Sequence, residues 1–233
     1  MSDESPRKTG QSGGQSTMAK VFDQDNVFFR FMGVVFDLIQ LNLLTLLCCL
    51  PVVTAGASLT AMHTVLWRMI RHEETYISRQ FFASFKRNFK QATAVWAVYL
   101  LAIVVLTVDV LVTLQMPAGQ RRLMFAFLAL VGVILVALAQ WYFPMLSRYD
   151  NTVGGHVKNA ASLAIGCFPR TLCEIVILVA FVLAYMQWFV YVIPFLIILG
   201  ISLPEYCCAW LYNPVFQRLD GEVDAKYRPI RRD

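Results

Sequence analysis

The residues with chemistry to offer are ionisable and amide side chains set inside apolar runs. A charge in hydrocarbon is expensive enough that such groups are retained for a function or paired by their neighbours. Asp37 leads: it stands near the middle of the apolar run 31–50, with Gln40 and Asn42 just after it and Arg30 about two turns before it on nearly the same face. An acid placed there binds a polar substrate, relays a proton or ties helices together by hydrogen bonds, and the sequence leaves these roles open. Glu205 follows Pro204, which interrupts the helix ladder and frees a carbonyl near Gly200. A broken helix carrying an acid can line an ion site, although proline is also ordinary in membrane spans. Asp109 is expected near the end of its span, within reach of Arg121 or Arg122. Glu174, four residues after Arg170, reads as half of an ion pair at the membrane interface.

No residue set spells a reaction. His63, His72 and His156 are scattered and have no partner at metal-ligand spacing. GxSxG, HExxH, P-loop and GxGxxG patterns do not occur. No catalytic, metal or cofactor residue is therefore expected, and an enzyme is the least favoured class. Without a P-loop the chain does not power transport from a nucleotide site of its own. The six cysteines, including the adjacent pairs Cys48-Cys49 and Cys207-Cys208, lack zinc spacing and read as small buried or lipid-facing residues. Palmitoylation near the membrane surface is the alternative for them.

The elements that must position these groups follow from composition. Of 233 residues, 58% are apolar and only 15% charged, and the mean hydropathy is +0.58. Soluble domains carry about a quarter charged residues, so lipid is the expected solvent for most of this surface. Apolar runs over 31–50, 92–115 and 123–146 match the hydrocarbon thickness. Residues 52–70 form a weaker run, diluted by Thr54, Gly56, Ser58, Thr60 and His63, and 171–213 holds two spans with a turn near Gln187 to Tyr191, before Pro194. Charge decides the count. With six spans and both termini inside, all basic residues except Arg121 and Arg122 fall on the inner side. The expected fold is all-α: a polytopic bundle of about six membrane helices over 27–213, with a disordered tail over 1–26 and a basic cytoplasmic tail over 214–233. Met18 competes with Met1 as the start. The +5 charge follows the inner face of a membrane, where it meets anionic lipid, and a nucleic-acid partner is not expected.

Two inner loops are expected to carry short amphipathic helices. In the first, Phe81, Phe82, Phe85 and Phe89 recur at helical spacing, flanked by Arg79, Lys86, Arg87 and Lys90. An aromatic face with basic borders suits a helix lying among headgroups, or one docked on a partner protein. The second loop has a helix-like segment from His156 to Leu163, and Lys158-Asn159 matches Arg87-Asn88 in order, a faint internal repeat. Between the first two spans, Pro51 stops a helix. Gly56 with Thr60, and Ala57 with Ala61, then give the small-xxx-small spacing of close helix packing, read here as a hairpin of spans one and two. A backbone-lined substrate site is the sharper reading of the same residues.

The stretch Leu50-Pro51-Val52-Val53-Thr54-Ala55-Gly56-Ala57-Ser58-Leu59-Thr60-Ala61-Met62 resembles the LPxxTxGAxLTA signature of the YesL family of bacterial membrane proteins. Phe81 to Ala92 is similar to that family's FFxSFKxNFKQA loop, and Arg148-Tyr149-Asp150, Lys158-Asn159-Ala160 and Pro169-Arg170 follow its second loop in order. The resemblance covers roughly residues 31–213. It implies a multi-pass protein of the bacterial cytoplasmic membrane linked to carbohydrate uptake, with sugar ABC importer permeases as expected partners. It brings no catalytic or ligand residue with it. The expected function is a non-catalytic accessory to such an importer, with an independent small-solute or ion transporter as the alternative. Self-association is left open.

Overall fold

The computed structural model describes residues 27–73, 76–187 and 189–227; the tail expected over 1–26 and the last residues of the basic tail lie outside them. Eight α-helices are present among the described residues: α1 (Val27–Cys49), α2 (Ala55–Ile70), α3 (Ile77–Leu114), α4 (Ala118–Arg148), α5 (Val153–Gly166), α6 (Phe168–Gln187), α7 (Phe189–Leu199) and α8 (Ser202–Tyr227). A single 3-10 turn, Val52–Thr54, joins α1 to α2, and the described residues contain no strand. The chain divides into two units, Met1–Asp37 and Leu38–Asp233. The first contributes the opening turns of α1, and the packing described below belongs to the second.

Four helices, α1, α3, α4 and α6, are long and apolar enough to cross a bilayer. Their outward faces are large and apolar: Leu101, Val104, Val108 and Leu111 on α3, and Leu123, Phe127, Leu130 and Ile134 on α4, are all exposed. So much exposed hydrocarbon is unfavourable in water and favourable in lipid. α2, α7 and α8 fall short of the other four in length or hydropathy.

α2 explains its own weak hydropathy. It is the central helix, buried on nearly every side, and α3, α4 and α8 pack around it. Its polar side chains are satisfied within the protein. Ser58 donates to the carbonyl of Thr45 on α1 at 2.9 Å, and Thr60 to Gly56 at 2.9 Å. Thr64 shares a 2.6 Å hydrogen bond with Ser84 of α3, and His63 lies 3.2 Å from the hydroxyl of Tyr212 on α8. A helix enclosed by protein does not need a lipid-facing stripe, so its composition is free to be mixed. The turn before it is closed by Thr54, whose hydroxyl donates to the carbonyls of Cys48 and Pro51 at 2.7 and 2.8 Å.

Several expectations are corrected by packing. The small residues of α2 do not chiefly form a hairpin with α1. A Cβ on Gly56 would stand 2.5 Å from the Cβ of Trp96 and 2.8 Å from the carbonyl oxygen of Ala92, so this face seats α3. Ala57, Thr60 and Ala61 are fully buried in the same core. The amphipathic loop helix expected over Phe81 to Lys90 is not separate. It is the first part of α3, a continuous 38-residue helix, about 57 Å long against roughly 30 Å of hydrocarbon. Good helix formers and the absence of Gly and Pro carry the ladder across the interface. Phe81 is consequently a core residue and Phe85 is half-buried, whereas Phe82, Lys86, Arg87, Phe89 and Lys90 remain exposed.

The second loop does form its own helix, α5, capped by Thr152, whose hydroxyl accepts from the Gly155 amide. The repeat therefore breaks down: Asn88 is buried inside α3 and Asn159 is exposed on α5. The last apolar stretch breaks at Gly200–Ile201, giving α7 and α8 where one helix was expected. The boundary expected at 213 falls inside α8, where Val215 and Phe216 are buried against the bundle.

Candidate functional site: polar clusters of the helical core

Three polar clusters stand out in the second unit. The first is the α7–α8 break. Asn42 is fully buried on α1 and its amide serves both broken ends at once. Its Nδ2 donates to the carbonyls of Leu196 and Ile197 at 3.1 and 2.7 Å, and its Oδ1 accepts from the amides of Ile201 and Ser202 at 2.9 and 3.0 Å. Ser202 returns a bond to the carbonyl of Leu38 at 3.0 Å. A helix end leaves amides and carbonyls without partners, and one asparagine serves four groups here, of which the Leu196 carbonyl also accepts from the Gly200 amide at 3.1 Å. Pro204 lies in the first turn of α8, where its missing N–H leaves no orphan. The carbonyl of Gly200 is not free either: the Tyr185 hydroxyl donates to it at 2.8 Å.

The second cluster joins α4, α6 and α8. Glu205 accepts from Gln140 Nε2 at 3.0 Å, and its other oxygen has no hydrogen-bond partner among the described residues. Glu174 is fully buried with neither carboxyl oxygen partnered, and it lies close enough to Glu205 for the two to repel as anions. It makes no ion pair with Arg170 within salt-bridge distance among the described residues, although Arg170 still acts on it electrostatically; its carboxyl lies in the core, and Cys208 of α8 contacts its backbone carbonyl. A carboxyl in such a place is held either as the neutral acid or with a cation beside it. Tyr212 and His63 extend the cluster toward α2.

The third cluster closes the basic end of the bundle. Asp220 on α8 accepts from Arg148 at the end of α4, from Arg71 just past α2 at 3.2 Å and from the Tyr149 hydroxyl at 2.7 Å. Arg71 also donates to Asn213 at 3.2 Å. The Trp67 ring sits among the guanidinium groups of Arg68, Arg71 and Arg148, at 5.2, 5.3 and 5.0 Å from its centre, within cation–π range. One carboxylate on α8 thus gathers the ends of α2 and α4. Asp220→Ala leaves the Arg148 side chain, only 7% exposed, without its counter-charge. The expected loss is about 2 kcal/mol, below the value for a fully buried pair because Asp220 itself is partly open to water. A drop in melting temperature in detergent that Asp220→Asn restores in part checks it, and wild-type melting of the alanine variant refutes it.

His156 on α5 is fully buried, edge-on to Tyr142 at 5.9 Å, with no hydrogen-bond partner for either ring nitrogen among the described residues. Burial holds its pKa below the ordinary 6.5, against a smaller opposing pull from Asp150. The unfolded chain therefore takes up this proton before the folded one. Its contribution is complete above about pH 6.5 and drains away below it. Unfolding curves from about pH 7 down to about pH 5 are expected to fall more steeply for wild type than for His156→Gln. Parallel curves would remove His156 as the cause.

The residues singled out from sequence are not brought together. Asp37 is half-exposed on α1 in the first unit, and Gln40 is exposed, donating to Ser78 at 2.9 Å. Asn42 lies at the helix break and Glu205 in the acid cluster. Asp109, Arg121 and Arg122 are all exposed, and no ion pair among the described residues links them. Glu174, Gln140, Trp67, Arg148 and Asp220 were not assigned these roles. Glu174 carries a legible signal, an acid inside an apolar run, but only the packing of α8 against it shows that it faces the core.

The fold and its clusters define an all-helical protein suited to membrane insertion, with polar groups sealed inside the bundle. Residues 38–110, from within α1 through α2 and most of α3, match the family model described as "Protein of unknown function, DUF624". No curated protein and no solved structure matches the chain.

Proposed function

We propose that this is a non-catalytic accessory protein of the bacterial cytoplasmic membrane, with six spans and both termini inside, that assists or regulates a sugar ABC importer. One observation carries the reading: the overhanging first turns of α3 present Arg79, Phe82, Lys86, Phe89 and Lys90 to the outside, an aromatic and basic strip rigidly continuous with a membrane helix. Such a strip transmits contact on the cytoplasmic side into the bundle through α2, its closest neighbour. The link to sugar import rests on the resemblance to the YesL family, and α2 together with the broken α7–α8 pair supplies the spans beyond the four that are long and apolar by themselves. A partner shifts an importer's conformational balance only by contacting one of its states better than another. Mild-detergent copurification of the tagged protein tests this. Importer permeases are expected at near-stoichiometric yield, lost in Phe82→Asp with Lys86→Glu; recovery of the protein without them, and unchanged sugar uptake on deletion, defeats the reading.

The Glu174–Glu205 cluster favours the second reading, an independent transporter of a small cation or proton-coupled solute. In liposomes it requires flux that Glu174→Gln abolishes. Silence across a broad panel of ions and sugars rejects it.

A further inference from the structure

A cavity of about 300 Å³ opens at the basic end of the bundle, between the end of α2, the early turns of α3 and the end of α4. Its walls include Trp67, Arg68, Gln80, Arg87 and Arg148. Three donors facing this region are buried and have no hydrogen-bond acceptor among the described residues: Trp67 Nε1, Arg148 Nη1 and Arg68 Nε, the last of which stands 3.9 Å from Glu73 Oε2 in a longer ion pair. The Arg148 side chain is 7% exposed, and its other nitrogen, Nη2, is already held by Asp220. Native proteins rarely leave buried N–H groups unpaired without a ligand or ion to take them.

Charge points the same way. Arg68, Arg71, Arg87 and Arg148 converge here, while Asp220 and Glu73 are the carboxylates paired with them among the described residues. The surplus is positive. Gln80 Oε1 is buried and unpartnered as well, so the cavity also offers an acceptor to a hydroxyl. A planar guanidinium matches phosphate oxygens two at a time. Arg87 lies only a turn and a half before Ala92, where the apolar run of α3 begins, which sets the cavity at headgroup depth.

We propose that this cavity is a binding site for a phosphate ester bearing a hydroxylated substituent, with Arg68, Arg87 and Arg148 on the phosphate, the Trp67 indole N–H beside it, and Gln80 on a hydroxyl. The shared chemistry is that of a phosphoglycerol headgroup or of a soluble glycerol phosphate. The site is independent of the importer reading and stands if that reading fails.

The test uses the full chain in nanodiscs of phosphatidylcholine alone, titrated with sn-glycerol 3-phosphate and, separately, inorganic phosphate, at constant ionic strength in chloride. A parallel set contains phosphatidylglycerol in the bilayer. The readouts are tryptophan fluorescence, compared with Trp67→Phe, and melting temperature. Arg68 is part-exposed and Arg68→Gln keeps the Asp220 junction, so this variant is expected to melt as wild type in ligand-free discs. Arg87→Gln loses one bond to the Ser147 carbonyl and serves as the second variant. Saturable binding of the soluble ester in phosphatidylcholine discs, weakened about ten-fold or more by either variant, supports the site with a soluble ligand. A rise in melting temperature only with phosphatidylglycerol, lost in Arg68→Gln, supports it with a lipid ligand. No response in either arm, or a response that neither variant changes, overturns the proposal.

Discussion

Gly56→Leu is expected to prevent assembly of the bundle, leaving aggregated protein and no monodisperse peak in mild detergent. The reason is a backbone contact. The first side-chain atom at this position would lie 2.8 Å from the carbonyl oxygen of Ala92 and 2.5 Å from the Cβ of Trp96, neither of which swings away by rotating a terminal group. Trp96 is itself anchored, its indole donating to the Val52 carbonyl at 2.7 Å. α2 and α3 must therefore separate along their length, and the fully buried Ala57 and Ala61 lose their seat with Gly56. Overpacking by a single methyl in such a place costs about 1–3 kcal/mol, so Gly56→Ala is the graded form of the same test, folded but melting earlier. A leucine variant that elutes and melts as wild type would show that α2 and α3 approach less closely than this.

Asn42→Leu conserves volume and removes the four side-chain bonds that Asn42 makes across the α7–α8 break. The Ile197 carbonyl and the Ile201 and Ser202 amides then lose their partner, at about 1–3 kcal/mol for each group that finds no substitute, while the Leu196 carbonyl keeps the Gly200 amide at 3.1 Å. Partial repair by shifts of α8 brings the expected loss to about 3–5 kcal/mol. Unfolding in mixed micelles measures it, and Asn42→Asp separates the two halves of the role. The aspartate keeps the acceptor for Ile201 and Ser202 but gives up the donors to Leu196 and Ile197, so an intermediate stability is expected. Equal stability of all three proteins would mean the break is held by other contacts.

In the sequence Asn42 reads as part of an intramembrane polar site, a polar residue near Asp37 inside one apolar run. Its partners are about 155 residues away along the chain, and no local pattern names them. Phe81 and Phe82 are adjacent in an aromatic, basic segment that reads as one amphipathic face. The structure splits them, Phe81 fully into the core and Phe82 outward, because α3 passes α2 on one side only.

Sequence by itself determined that this chain is helical and suited to lipid, where α1, α3, α4 and α6 run to within a few residues at their apolar portions, and that Pro51 ends the first of them. Those properties are local: mean hydropathy over about 20 residues decides solvent, and a proline decides a stop. Tertiary structure decided which polar groups face protein. It turned the weak stretch 55–70 into the centre of the bundle, moved Glu174 from the interface to the core, and gathered Trp67, Arg148 and Asp220 at one end. A hydropathy count weighs a side chain without its surroundings, and in a membrane the same serine, histidine or acid is intolerable against lipid and stable against a neighbouring helix. That neighbour is chosen by packing between segments far apart in the chain.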